Sequence, residues 1–168
     1  MRRTLYWSLT CGAIGYSYGR RGVWGFDAAG TYGYSIDGHW KTILNSKGAD
    51  NIRKVFKLYS EISWEKLEPD FQEIFVESGM GTDVEKVTAA LASDGTFGIA
   101  YFPLSRSASI NLSLINASKK VNARWFDPTS GESIIVHGSP FKKENQTFTT
   151  PGNNSDGDPD WILILTSE

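Results

Sequence analysis

The rhythm of apolar and polar residues changes once along this chain. From Val84 onward the period is two. Val121, Ala123 and Trp125 fall in phase within Lys120 to Phe126, and Ser109 to Leu114 alternates in the same way. Such alternation marks strands with one face on a core. Val87 to Ala92 and Thr96 to Phe102 are separated by Ser93-Asp94-Gly95, a hairpin signal. Asp127-Pro128-Thr129-Ser130-Gly131 is turn sequence: Asp bonds to nearby backbone, Pro presets φ, and Gly accepts positive φ. Glu132 to His137, Gln146 to Thr149 and Trp161 to Leu165 are expected strands, and Pro151 to Asp160 a polar loop. Short strands recurring about every ten residues between turns predict an antiparallel β-sandwich or jelly-roll-like domain over 84–168.

Ahead of that region the period is helical. Residues 2–14 are apolar nearly all round, which predicts a buried helix. Ile52, Val55, Phe56, Tyr59 and Ile62 recur at steps of three and four, so a second helix is expected over Asp50 to Ile62 with Asp50 or Asn51 as its cap. Gly22 to Phe26 reads as a short strand, and Asp27 to Gly48 as a long loop rich in Gly, Tyr, Ser and Asp. The fold class is α+β, mainly β, with a helical segment over 1–70 in front of the sandwich.

Composition narrows the function classes. Of 168 residues, 40% are hydrophobic and 21% charged, with a net charge of −2, a globular balance without the basic footprint of a nucleic-acid binder. No apolar run is long enough to span a bilayer. The basic, apolar start resembles a leader only loosely, so a packed helix and a cytoplasmic location are the default expectation. Cys11 is the sole cysteine and reads as a buried thiol. His39 and His137 offer no metal-ligand spacing, no phosphate-cradling loop is present, and no cofactor is expected. The loop 152–160 has oxygen ligands for calcium, but an ordinary polar loop is the favoured reading. Sequons stand at Asn111, Asn116, Asn145 and Asn153.

Several segments together carry a resemblance. They are Gly15-Tyr16-Ser17-Tyr18-Gly19, Val23-Trp24-Gly25-Phe26, Leu67-Glu68-Pro69-Asp70, Trp125 to Gly131, and Asp160-Trp161 before an apolar run. The chain resembles the C-terminal part of the apiosidase-like glycoside hydrolases, which join a (β/α)8 barrel to a β-sandwich labelled as collagen-binding. The resemblance implies that residues 1–26 correspond to the seventh barrel helix and eighth strand, 49–62 to the eighth helix, and the rest to the sandwich. The family's catalytic carboxylates would lie on earlier barrel strands, and at Tyr16 this chain departs from the histidine that members tend to carry.

A glycosidase needs two carboxyl groups across one bond. Asp27 and Asp37, in the aromatic loop, are the weak candidates, with loop capping the favoured reading. Trp24, Phe26, Tyr32, Tyr34, His39 and Trp40 form the densest aromatic group. Flat rings stack on sugar C–H faces, so these residues are the candidate ligand-binding set, with core or subunit interface as the alternative. Trp125 and Trp161 are expected in the sandwich core. The expected function is a non-catalytic, carbohydrate-associated sandwich module binding a poly- or oligosaccharide. The alternative is an interaction protein that forms a homodimer or other homo-oligomer through its N-terminal aromatic segment.

Overall fold

The computed structural model describes residues 1–28 and 38–168. Among the described residues three α-helices, α1 (Arg2–Thr10), α2 (Trp40–Ile43) and α3 (Lys47–Ser60), precede ten strands. The strands are β1 (Leu67–Pro69), β2 (Val76–Ser78), β3 (Thr88–Ala92), β4 (Phe97–Phe102), β5 (Ser107–Asn111), β6 (Lys120–Phe126), β7 (Ser133–Ile135), β8 (Phe141–Lys142), β9 (Asn145–Thr149) and β10 (Trp161–Ser167). A large antiparallel sheet runs β1-β3-β4-β10-β6-β7, with β8 also paired to β6, and a small one runs β2-β5-β9. The expected sandwich is present.

The register sorts the side chains into two cores. Trp161 lies opposite Phe102, Leu163 lies between Ala100 and Trp125, and Leu165 lies between Gly98 and Ala123. These rows face the small sheet, where they meet Phe75, Ile110, Leu112 and Phe148. Trp125 and Trp161 belong to this core, as their alternation indicated. Gly98 leaves the space that the Phe75 ring occupies, since a Cβ there would collide with it. The intervening residues, Ile99, Tyr101, Ile162, Ile164 and Phe126, face the other way and pack on Leu5, Tyr6, Leu9, Val55, Leu58 and Tyr59. All of β4 is buried. The molecule is thus three layers: small sheet, large sheet, helices.

The helical layer departs from expectation in its details. α1 stops at Thr10 rather than continuing to residue 14, and Ile14 is 91% exposed. Gly12, at φ +91°, turns the chain there, packed against Pro69. Cys11, expected to be buried, is exposed at the α1 C-cap. Gly22 to Phe26 forms turns rather than a strand, because no neighbouring strand pairs with it among the described residues. The second helix starts at Lys47, its cap being Ser46 Oγ, which accepts from Ala49 N, rather than Asp50 or Asn51. The long loop contains a helical turn, α2, with Nδ1 of His39 accepting from Lys41 N at 3.2 Å.

Polar contacts lock the helices to the sandwich. Tyr6 stacks on Tyr101 at 4.9 Å between ring centres, Trp7 Nε1 donates to Lys86 O at 2.9 Å, and the Thr10 and Thr88 hydroxyls meet at 2.7 Å. Arg2 donates through Nε and Nη2 to the two oxygens of Asp160 at 2.9 and 2.7 Å, and to Asp158 at 2.7 Å. The hydrogen bonding of Arg2 to Asp160 leads the effects that hold the guanidinium protonated above its ordinary range. Tyr101 Oη and Asn154 Nδ2 complete the Asp160 carboxylate at 3.1 and 2.9 Å. The loop 152–160 is folded on Asn154, whose Oδ1 accepts from the backbone of Asp156 and Asp158. Its acidic residues meet cations, Asp156 with Lys47 and Asp158 with Arg2. Among the described residues no three His, Cys, Asp or Glu converge as metal ligands.

The 127–131 turn is a second tie. Asp127 Oδ1 accepts from Thr129 N at 2.7 Å and Thr129 Oγ1 at 2.6 Å, and Oδ2 from Ser155 N at 2.9 Å. Gly131, at φ +81°, closes the turn onto Asp127 O at 2.9 Å. Lys54 of α3 bonds to Thr129 O, so the helix, the turn and the loop are held together. Burial pushes the Asp127 pKa up, but the hydrogen bonds from Ser155 and Thr129 outweigh it and hold the carboxyl well below the usual carboxylate range.

Two predictions follow from these ties. Arg2→Ala leaves Asp160 buried without its cation, and should cost about 3–5 kcal/mol, read as a fall in urea midpoint. A loss under about 0.5 kcal/mol, the scale of an ordinary surface substitution, would show that Arg2 is not a lock. Asp127 has a depressed folded pKa, so its stabilisation is complete above the unfolded value, about 3.9, and is lost as pH falls toward the folded one. Asp127→Asn should therefore lower stability by about 1–3 kcal/mol at pH 7 and flatten the loss of stability below pH 4 in acid-unfolding curves.

Candidate functional site

The candidate aromatic residues gather where the chain returns from the 20–27 turns into α2. Asp27 N donates to Gly22 O at 2.9 Å and Asp27 O accepts from Trp40 N at 2.9 Å, which fixes the start of α2 against the turn. Phe26 adopts φ +49°, in the left-handed region that side chains rarely occupy. The residue is 67% exposed and Trp24 61% exposed. Phe26 meets Trp40 edge-on at 5.2 Å, and His39 lies over Trp40 at 5.9 Å. Lys41 Nζ sits 5.5 Å from the Trp40 ring centre, within cation–π range. Of the candidate set, Phe26, His39 and Trp40 are in mutual contact and Trp24 stands exposed nearby in sequence. Tyr32, Tyr34 and Asp37 lie outside the described residues.

Asp27, the other carboxylate candidate, is fully buried and so presents no solvent-facing carboxyl group. His137 is exposed in the turn after β7. Among the described residues the arrangement offers stacking surface, one imidazole and one ammonium group.

Two other surface features were not legible from residue types. The first is an apolar groove of about 190 Å³ between the end of α1 and the end of α3, lined by Leu9, Ile14, Phe56, Tyr59 and Trp64. It arises because Phe56 and Trp64 lie off the face of the helical layer that meets the sheet. The second is a pair of polar clefts meeting at Lys47 and Asn51, at the start of α3. Asn51 shares the buried stripe of Val55, Leu58 and Tyr59. A polar residue on that stripe was the signal available in the sequence.

Comparison with known proteins covers nearly the whole chain. Residues 69–166 match the family model described as "Putative collagen-binding domain of a collagenase", and residues 1–66 match that of the apiosidase-like catalytic domain. No curated protein matches. Among solved structures, one described as a glycoside hydrolase superposes with a TM-score of 0.85 at 23% identity, over 99% of this chain and 36% of its own. Another, a glycoside hydrolase family 5 protein from Bacteroides vulgatus, gives a TM-score of 0.85 at 24% identity, over 99% of this chain and 35% of its own. The chain thus spans about a third of the length of these two structures, and at such identity the likeness establishes the fold. With its C-terminal 69–166 matched as one unit behind the end of an apiosidase-like region, the chain belongs to the family of that collagen-binding-type domain.

Proposed function

We propose that this chain is a glycoside hydrolase-derived module that binds carbohydrate without cleaving it. The observation that carries the reading is the aromatic group in which Trp24 and Phe26 are exposed and Phe26 meets the half-buried pair His39 and Trp40. A sugar ring stacked on Trp40 or Trp24 would bury C–H surface, while His39 and Lys41 reach its hydroxyl groups. The fully buried Asp27 supports a binding role over an acid–base one.

Calorimetric titration with pectic and hemicellulosic oligosaccharides tests the reading. The wild-type chain should bind at least one of them, and Trp40→Ala should weaken that binding about tenfold, the equivalent of about 1.4 kcal/mol. Flat titrations across the panel, or binding to a triple-helical collagen peptide in their place, would overturn it.

A second reading is favoured by the apolar groove. Ile14, Phe56 and Trp64 are exposed together there, and such patches commonly mark interaction surfaces. In this reading the chain self-associates through its N-terminal aromatic segment. Light scattering should then give a concentration-dependent dimer that Phe56→Glu converts to monomer. A wild-type monomer at high concentration would end this reading.

A further inference from the structure

The helices cover only part of the large sheet's second face. Phe126, the last residue of β6, packs on them. By alternation Lys120, Asn122 and Arg124 share its face, yet Lys120 and Asn122 are exposed and Arg124 is half-buried. Val121, Ala123 and Trp125 turn the other way, into the core between the sheets. The register adds neighbours to this uncovered end. Lys142 of β8 lies directly opposite Lys120, Thr166 of β10 opposite Asn122, and Ile135 of β7 opposite Arg124. None of these residues belongs to the aromatic group around Trp40 or to the apolar groove.

This end is cationic, in a chain whose net charge is −2. Lys120 and Lys142 face each other across one ladder step, with Cα atoms about 5 Å apart, and like charges so placed repel. Lys119 and Lys143 adjoin them in sequence, both exposed. Arg124 stands about 13 Å along β6 from Lys120, at the rise of an extended strand. Its Nη1 donates to Ser133 Oγ at 2.6 Å, a neutral partner. Glu168 and Glu144 bond through their backbone N–H groups to Lys120 O and Lys142 O. Neither of their carboxylates closes an ion pair with these cations among the described residues. The like-charged pair is thus left without an internal counter-ion.

The chemistry of a partner follows from these groups. An anion that bridges two ammonium groups relieves their repulsion, and a guanidinium donates to both oxygens of a carboxylate. Between the charged positions stand Asn122 and Thr166, an amide and a hydroxyl that can exchange hydrogen bonds with hydroxyl groups. Ile135, 80% exposed beside Arg124, offers apolar surface to the C–H face of a ring. Charges this sparse, separated by hydroxyl-bonding groups, fit a chain that carries one carboxylate per sugar. A nucleic acid presents a denser row of charge and gains from stacking on aromatic rings, and none of these exposed residues is aromatic. We propose that the uncovered end of the large sheet is a docking surface for a uronate polysaccharide. One carboxylate bridges Lys120 and Lys142, and another reaches Arg124. The proposal shares carbohydrate as a class with the reading above, but different residues carry it and it does not depend on the aromatic group.

Calorimetric titration of the full chain with alginate oligosaccharides, which are linear uronates, tests the surface. Binding should weaken about tenfold as salt rises from about 50 to about 200 mM, the response of a few released counter-ions. Propylene glycol alginate, whose carboxyl groups are esterified, should bind far more weakly. Lys120→Gln combined with Lys142→Gln should weaken alginate binding about tenfold or more, while the urea midpoint holds or rises because the repulsion is gone. Trp40→Ala should leave alginate binding unchanged. A flat alginate titration, equal binding of the ester, or full affinity in the double variant overturns the proposal. So does a fallen midpoint in that variant, which would make the lysine pair structural. Tighter binding of heparin or of single-stranded DNA also overturns it, by assigning the cations to sulfate or phosphate. Alginate binding lost in Trp40→Ala but kept in the lysine variant moves the glycan to the aromatic site. Alginate binding with flat titrations of neutral oligosaccharides supports this surface and removes the aromatic one.

Discussion

The large sheet has two apolar faces, and the small sheet can cover only one. β10 alone carries Trp161, Leu163 and Leu165 on one face and Ile162 and Ile164 on the other. Sheets buried on both sides read as nearly unbroken apolar runs, as β4 and β10 do. A helical layer must close the second face, and the amphipathic α3 and the apolar face of α1 meet that need. Each fully buried Leu, Ile or Phe there is worth about 1.5–3 kcal/mol. That sum rests on helices that are the first elements in the chain and strands that are among the last.

Apolar burial alone would let the helices slide over a greasy surface. Directional contacts set their position. The Arg2 fork on Asp160 places the start of α1 at the entrance to β10, and Lys54 pins α3 to the 127–131 turn. Both anchoring carboxylates, Asp127 and Asp160, also hold the loop 152–160, through Ser155 N and Asn154. Two acidic residues therefore couple the helical layer, a strand turn and a long loop. Oxygen atoms that looked available to a cation are largely taken up by guanidinium, ammonium and backbone N–H groups.

What was legible in the sequence is what depends on local pattern. β6, β10 and the core places of Trp125 and Trp161 follow from alternation, and α3 from its three- and four-residue steps. The short strands β1 and β2 were not visible, since three residues hold too little pattern and are defined by their partners β3 and β5. Gly22 to Phe26 has strand composition but no partner strand among the described residues, so composition misled. Cys11 looked buried because its neighbours are apolar, yet it follows the last turn of α1, where the chain swings away from the sheet. Within the aromatic group, residue type pointed to Phe26, His39 and Trp40, while their contact depends on the backbone bonds of Asp27. Asn51 was read for its capping ability, although its place on the buried stripe is what sets it apart.

The family models meet between residues 66 and 69, where Leu67 begins β1. That seam marks units of descent, not units of cohesion. Tyr101 and Ile164 come from one side of it, Tyr6 and Leu58 from the other, and together they form one interior. A gene cut at the seam would yield two polypeptides, each with half of a core facing water. For this fold the heritable boundary and the cooperative boundary fall in different places, and anyone transplanting the sandwich onto another protein would need to carry α1 and α3 along with it.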